Sequence, residues 1–451
     1  MSQIPKDLVV VDCETVSRTF YDAVIVGSGV AGAIVAKELS QQGKKVLILE
    51  AGQAKALTLA GFQSYIDSFY SAAAKNPNAP YPHNPNALSP TDDDHYFVEK
   101  GPMRLSGSYT RVPGGTTMHW EAKTPRMLPD DFQLKTLYGQ GLDWPIKYEA
   151  LMPYYRKAEY EMGVSGDVEE QKKLGLEFED GYVFPMLKMP PSYLDQKVKE
   201  KFPENFPEKN TVELYGKPYT LEFGTFPQGR NGVPNPEYAK YDQGNLFVPE
   251  GVSSTSPVQY GERCQGNANC VPICPAQAKY DARRTLTKAF QTGRVDLLPQ
   301  AVAFKVETDP ETGKVTAIHY KHYEDPHSAK HTVGLAKGAL FVLAANAIEN
   351  ARLMLASDLP NTSGMIGRHL MDHPFTLAWA LMPEVTGTMR GPIVTSGIGT
   401  FRNGPFRDKQ SAFAVDIHND GWGWATGSPS SEVLDAIDNK NKYGQELRAR
   451  H

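Results

Sequence analysis

Between residues 21 and 50 the chain reads as a strand, a glycine turn, a helix and a second strand, and few folds accept that order with these glycines. Tyr21 to Val26 is a largely apolar, β-branched run, followed by Gly27-Ser28-Gly29-Val30-Ala31-Gly32. Ala33, Ile34, Ala36 and Leu39 then repeat at helical spacing, and Lys45 to Glu50 returns to a buried strand. In such a βαβ unit the first glycine makes the tight turn, the second lets backbone approach a pyrophosphate, and the third lets the helix pack close to the sheet. The helix N-terminus offers N–H groups and the positive end of its dipole to the phosphates. Glu50 closes the second strand, where a carboxylate accepts a bond from a ribose hydroxyl and repels the 2′-phosphate of NADP. The pattern assigns Gly27, Ser28, Gly29, Val30, Ala31, Gly32 and Glu50 to a dinucleotide.

Three of the four cysteines fall in Arg263-Cys264-Gln-Gly-Asn-Ala-Asn-Cys270-Val-Pro-Ile-Cys274-Pro275. The closest pair is too near in sequence to close a useful disulfide loop. Crowded thiolates suit a metal centre, and a cysteine followed by proline is a ligand in iron–sulfur loops. Three ligands in one run, with Cys13 remote, favour a 3Fe-4S cluster; zinc with a borrowed histidine and inert thiols are the alternatives.

A chain of 451 residues has room for two or three domains, or one large discontinuous one, with proper cores. Its net charge of −5 and lack of a basic tract argue against nucleic acid as a partner. The first twenty residues carry Lys6, Asp7, Asp12, Glu14 and Arg18, so no apolar signal-peptide core is visible. The later apolar runs, such as Ala339 to Ile348, are too short to span a bilayer. Helices are predicted over Leu57 to Ala74, Tyr148 to Met162, Arg283 to Gln291 and Ala345 to Ala356. Strands are predicted around Ala301 to Glu307, Val315 to Tyr323 and Thr332 to Leu343, with a hairpin turn at Asp309 to Gly313. Short strands are predicted from Phe375 to about Asp416, then a polar helical end.

A second constellation is Arg111-Val-Pro-Gly114-Gly115-Thr116-Thr117-Met-His119-Trp120-Glu121. Paired glycines let backbone lie against a flat ring system, and Thr116, Thr117 and His119 offer polar groups to its edge. Together with Asp143-Trp-Pro-Ile146, Tyr154-Tyr155 and Gly367-Arg-His-Leu-Met-Asp-His373-Pro, these segments resemble the glucose-methanol-choline (GMC) flavoprotein oxidoreductases across nearly the whole chain. The resemblance implies an α/β fold, with a Rossmann-like FAD-binding domain and a discontinuous α+β substrate domain. It places FAD-binding segments at 18–134 and 256–374, the latter with the iron–sulfur loop, and substrate-domain segments at 135–255 and 375–451. It implies FAD rather than NAD, held also by Arg111, Gly114, Gly115, Thr116, Thr117, His119, Trp120, Val302 and Asn346. A capping role for Asn346 is the alternative.

Two branches of the family compete. The Gly114 to Arg126 segment is similar to pyranose 2-oxidase, where the histidine equivalent to His119 is joined to the flavin. The Cys264, Cys270, Cys274 run resembles the iron–sulfur-containing sugar and gluconate dehydrogenase catalytic subunits, which implies a sugar or polyol substrate and electron transfer to a cytochrome or small-subunit partner. An oxygen-using oxidase needs no such relay, so the cysteines favour a dehydrogenase. The sugar oxidase and a catalytically inactive flavin-binding chain are the other readings. Hydride transfer needs a base, which the family takes from a C-terminal histidine pair. No residue here is assigned that role: His418-Asn419 lacks the family context, and His369 and His373 read as structural. The resemblance implies a further segment beyond His451. The expected location is the cytoplasm, or the periplasm by co-export with a partner.

Overall fold

The computed structural model describes residues 9–54, 111–118, 120–201, 210–241, 246–250, 263, 264, 266, 274, 276–326, 328–371, 376, 378, 382–386 and 391–419. The chain divides into two compact units. The first comprises Met1–Trp120, Val252–Ser256 and Asp281–Leu377, and the second Glu121–Gly251, Pro257–Tyr280 and Ala378–His451. The cysteine run therefore groups with the second unit, although the sequence placed it beside the second flavin-binding segment.

The first unit is an α/β sheet with helices. Its strands are β1 (Phe20–Val26), β2 (Val46–Leu49), β3 (Val295–Leu298), β4 (Ala301–Thr308), β5 (Val315–His322) and β6 (Thr332–Leu343). They lie in the order β4-β5-β6-β1-β2-β3. Strand β1 runs parallel to β2 and β6, and β2 parallel to β3, whereas β4, β5 and β6 form an antiparallel meander. Strand β6 belongs to both halves: Lys337 pairs with Ala317 on one side and with Phe20 on the other.

Central parallel strands are covered on both faces and so read as continuous apolar runs. In β1, Ala23 and Ile25 join one core cluster, while Tyr21, Val24 and Val26 join the other. In β2, Val46 and Ile48 face the first cluster and Leu47 and Leu49 the second. The unit's helices are α1 (Cys13–Arg18), α2 (Val30–Gln41), α3 (Arg283–Gln291) and α4 (Ala347–Ala356). Small residues Ala33 and Ala36 on α2 and Leu286, Ala289 and Phe290 on α3 share the first cluster, whereas Leu353 of α4 lies in the second. The turn between β4 and β5 closes as its Asp, Pro and Gly require: Gly313, at φ +67°, donates to the Asp309 carbonyl at 2.8 Å.

The second unit is α+β. Val394–Ile398 pairs antiparallel with Val415–His418 and Phe223–Thr225, and Val164–Gly166 pairs with Met186–Leu187 and Gln228–Gly229. A hairpin joins Thr211–Leu214 to Lys217–Thr220. The predicted helix at Tyr148–Met162 is present and ends at Gly163, whose φ of +62° suits a helix C-terminus. The helix expected at Leu57 to Ala74 and the polar end after Asn419 lie outside the described residues.

Candidate cofactor site

Strand β1 runs into Gly27, whose φ of +97° turns the chain toward α2. A Cβ on Gly27 would lie 2.7 Å from the Ala344 carbonyl oxygen, one on Gly32 2.0 Å from that of Gly27, and one on Gly52 2.1 Å from that of Arg111. Backbone meets backbone at these points, and only glycine fits. Gly29 differs, because a Cβ there would meet nothing within 4 Å. Among the described residues, open space therefore lies beside the first turn of α2, whose leading N–H groups have no acceptor within the helix. The residues present fit a pyrophosphate there.

Glu50 and the Gly114–Gly115 turn lie against the fingerprint. Glu50 is buried, and its Oε2 accepts the Ser28 N–H at 3.1 Å and the Ser28 hydroxyl at 2.5 Å, while Oε1 accepts the Gly52 N–H at 2.7 Å. The start of β4 cups the same stretch: Ala301 donates its N–H to the Glu50 carbonyl at 2.8 Å and Gln300 to that of Gly52 at 2.9 Å, with Val302 next in line. The Gly114–Gly115 turn packs against the fingerprint, since a Cβ on Gly115 would stand 3.2 Å from Gly29 Cα. Thr117 shapes this turn. Its hydroxyl donates to the Gly114 carbonyl at 2.6 Å and accepts the Ala282 N–H at 2.9 Å, so it holds the protein's own backbone. Thr116 is exposed and Trp120 half-buried. Asn346 caps α4, accepting the N–H groups of Ile348 and Glu349 at 2.8 and 3.4 Å. His119 lies outside the described residues.

Comparison with known proteins gives this geometry a lineage. Residues 22–86 match the FAD binding domain family, and residues 250–375 match the GMC oxidoreductase family. The chain belongs to the GMC oxidoreductases. Among curated GMC relatives, the fructose dehydrogenase large subunit of Gluconobacter japonicus is 31% identical over 412 residues, which cover 88% of this chain and 66% of that one. The 2-methyl-1,2-propanediol dehydrogenase of Mycolicibacterium austroafricanum is 24% identical, over 80% of this chain and 56% of the relative. The gluconate 2-dehydrogenase flavoprotein of Pantoea cypripedii is 28% identical, over 32% of this chain and 25% of the relative. This GMC chain thus spans two thirds or less of the relatives it matches.

The cysteines of this GMC oxidoreductase are divided between the units. Cys13 packs at the edge of the first unit's core, in the cluster that contains Tyr320. Cys264 and Cys274 are half-buried in the second unit. The two ends of their run are fastened to one short stretch of chain. Asn231 accepts the Cys264 N–H at 3.0 Å and donates its own to the Ala278 carbonyl at 2.8 Å, and Tyr280 donates to Gly229 at 2.8 Å. Soft thiolate donors suit iron–sulfur or zinc chemistry. Among the described residues no group of three or more His, Cys, Asp or Glu is placed to hold a metal, and Cys270 lies outside them.

Of the histidines weighed for catalysis, His369 is exposed in left-handed backbone at φ +57°, His418 ends the strand Val415–His418, and His373 lies outside the described residues. No helix among the described residues is long and apolar enough to cross a membrane.

One buried network escaped sequence reasoning. Arg126 donates from Nε and a terminal nitrogen to the two carboxylate oxygens of Glu159, each at 2.6 Å, and to the Tyr148 hydroxyl at 3.2 Å. The Tyr182 hydroxyl also donates to Glu159, and the Phe178 ring lies 4.5 Å from the guanidinium carbon. Burial alone would lower the Arg126 pKa, but the hydrogen bonds and charge of Glu159 outweigh it and hold the guanidinium above its ordinary value. Burial and then the Glu159 charge push the Tyr182 phenol well up.

Proposed function

We propose that this chain is the flavin-bearing part of a dehydrogenase that oxidises CH–OH groups of a sugar or polyol. The observation that carries the reading is the opening at Gly29, bounded by the N-terminus of α2, the Glu50 carboxylate and the Gly114–Gly115 turn. Bound there, FAD supplies the acceptor for a hydride from the substrate carbon. The protein's own share is to hold that cofactor: helix N–H groups for the pyrophosphate, Glu50 for a ribose hydroxyl, and a side-chain-free turn for close approach of a ring. The names of the relatives support the substrate class, since they act on fructose, gluconate or a small diol. Cys264, Cys270 and Cys274 would hold an iron–sulfur cluster, which supplies one-electron transfer toward a cytochrome-type or small-subunit partner. The description of one relative as a large subunit fits a partnered enzyme.

The test is anaerobic purification followed by assay of flavin, iron and acid-labile sulfide, then dye reduction with fructose, gluconate and 2-methyl-1,2-propanediol. FAD, iron and sulfide together with substrate-dependent dye reduction are expected. Absence of flavin would sink the reading. Absence of iron and sulfide would remove the cluster, and rapid peroxide formation without dye would replace the dehydrogenase by an oxidase.

A further inference from the structure

Resting on the FAD reading above, we propose that Ser28 is a positioning residue that fixes Glu50 as the ribose acceptor and ties it to the Gly114–Gly115 turn. Ser28 is completely buried, and both its donors reach the same carboxylate oxygen, Glu50 Oε2. Its hydroxyl oxygen in turn accepts the Gly114 N–H at 3.3 Å. One side chain thus connects the fingerprint, the end of β2 and the Gly-Gly turn, which are far apart in sequence.

An ionised carboxylate has about four acceptor sites. In Glu50 three are filled by this chain, two on Oε2 through Ser28 and one on Oε1 through Gly52. Among the described residues the remaining site is on Oε1, and it suits a single hydroxyl donor. Among the described residues no cation pairs with Glu50, and the three neutral donors hold the carboxylate plane. Without the Ser28 hydroxyl, Oε2 loses one of its two bonds and the Gly114 N–H loses its acceptor, so the carboxylate and the turn are no longer linked.

The full-length chain is purified from riboflavin-starved cells and titrated calorimetrically with FAD and with FMN, which lacks the adenosine ribose. Ser28→Ala is expected to weaken FAD binding by about tenfold, as loss of a hydrogen bond to a charged group does, and to leave FMN within about twofold. Glu50→Gln should weaken FAD at least as much. The double variant should be no weaker than Glu50→Gln alone, because both act through one acceptor. Equal losses for FAD and FMN, or additive losses in the double variant, would overturn the proposal by showing general loosening of the fold. Should Ser28→Ala not fold, Ser28→Cys retains a polar side-chain atom but donates weakly, and the same pattern is required of it. A wild-type chain that binds no FAD would refute the proposed function itself, whereas a wild-type chain that binds FAD with an unaffected Ser28→Ala variant refutes only the role of Ser28.

Discussion

Glu50 in the first unit and Glu159 in the second are buried to a similar degree, at 5% and 3% exposed, yet their surroundings differ in kind. Glu159 faces a guanidinium that grips both its oxygens, and a phenol takes one of them as well. Glu50 is held, among the described residues, by neutral donors, two from Ser28 and one from Gly52, with acceptor capacity left on Oε1. A carboxylate closed by a cation is fitted to hold its unit together. One oriented by neutral donors suits a hydroxyl that arrives later.

The difference can be broken most sharply at Arg126. Arg126→Ala leaves Glu159 buried without its cation, a change that typically costs about 3–5 kcal/mol, to be read in urea unfolding. Glu50→Gln keeps the shape but sets an amide nitrogen against a buried donor, so it should cost about 1–3 kcal/mol while it weakens FAD binding. If Glu50→Gln unfolds the chain as Arg126→Ala does and leaves FAD bound, the two carboxylates are alike after all. Next in size is Gly32→Ala, whose methyl would stand 2.0 Å from the Gly27 carbonyl oxygen. About 1–3 kcal/mol should be lost from overpacking, with flavin absorbance per chain falling too. Stability at the wild-type level would show that α2 can move away from the turn.

Thr117→Val removes the hydroxyl that joins Gly114 to Ala282 and leaves a buried N–H without its acceptor, at a cost of about 1–2 kcal/mol in the same assay. The smallest effect is on exposed Asp143. The Thr136 hydroxyl, at 2.5 Å, and then its N–H, at 3.0 Å, hold this carboxyl below its ordinary value. A depressed folded pKa contributes stability above the unfolded pKa and loses it as pH falls through the folded one, so the window lies below about pH 3.9. Carboxyl NMR titration of Thr136→Val should show the Asp143 pKa moving up toward the ordinary value; an unmoved titration would refute the Thr136 contribution.

The first unit was the more legible in sequence because its signals are local. A strand buried on both faces, a turn of three glycines and a helix of small residues announce themselves within thirty residues, and α3 and Tyr148–Met162 begin and end where their periodicity does. Hydroxyls were harder. Thr117 reads equally as a group for a ligand and as a brace for backbone, and only the position of Ala282 decides which carbonyl and N–H it meets. Asn346 carried both readings too, and its side chain accepts the first N–H groups of α4. The Arg126–Glu159 pair is separated by 33 positions, joins a loop to a helix, and leaves no periodic trace. Ion pairs of that kind become visible only once the units are folded.

Strand β6, shared between two ladders, also constrains the order of assembly during synthesis. Strand β1 emerges early, but its parallel neighbour on that side, beginning at Thr332, is translated about 300 residues later, roughly 15–60 s at ordinary elongation rates. For that interval one edge of an apolar strand waits unpaired, the condition under which nascent chains find wrong partners. The ribosome's pace and the cell's chaperones thus bear on this protein's yield through the place of one strand in the gene.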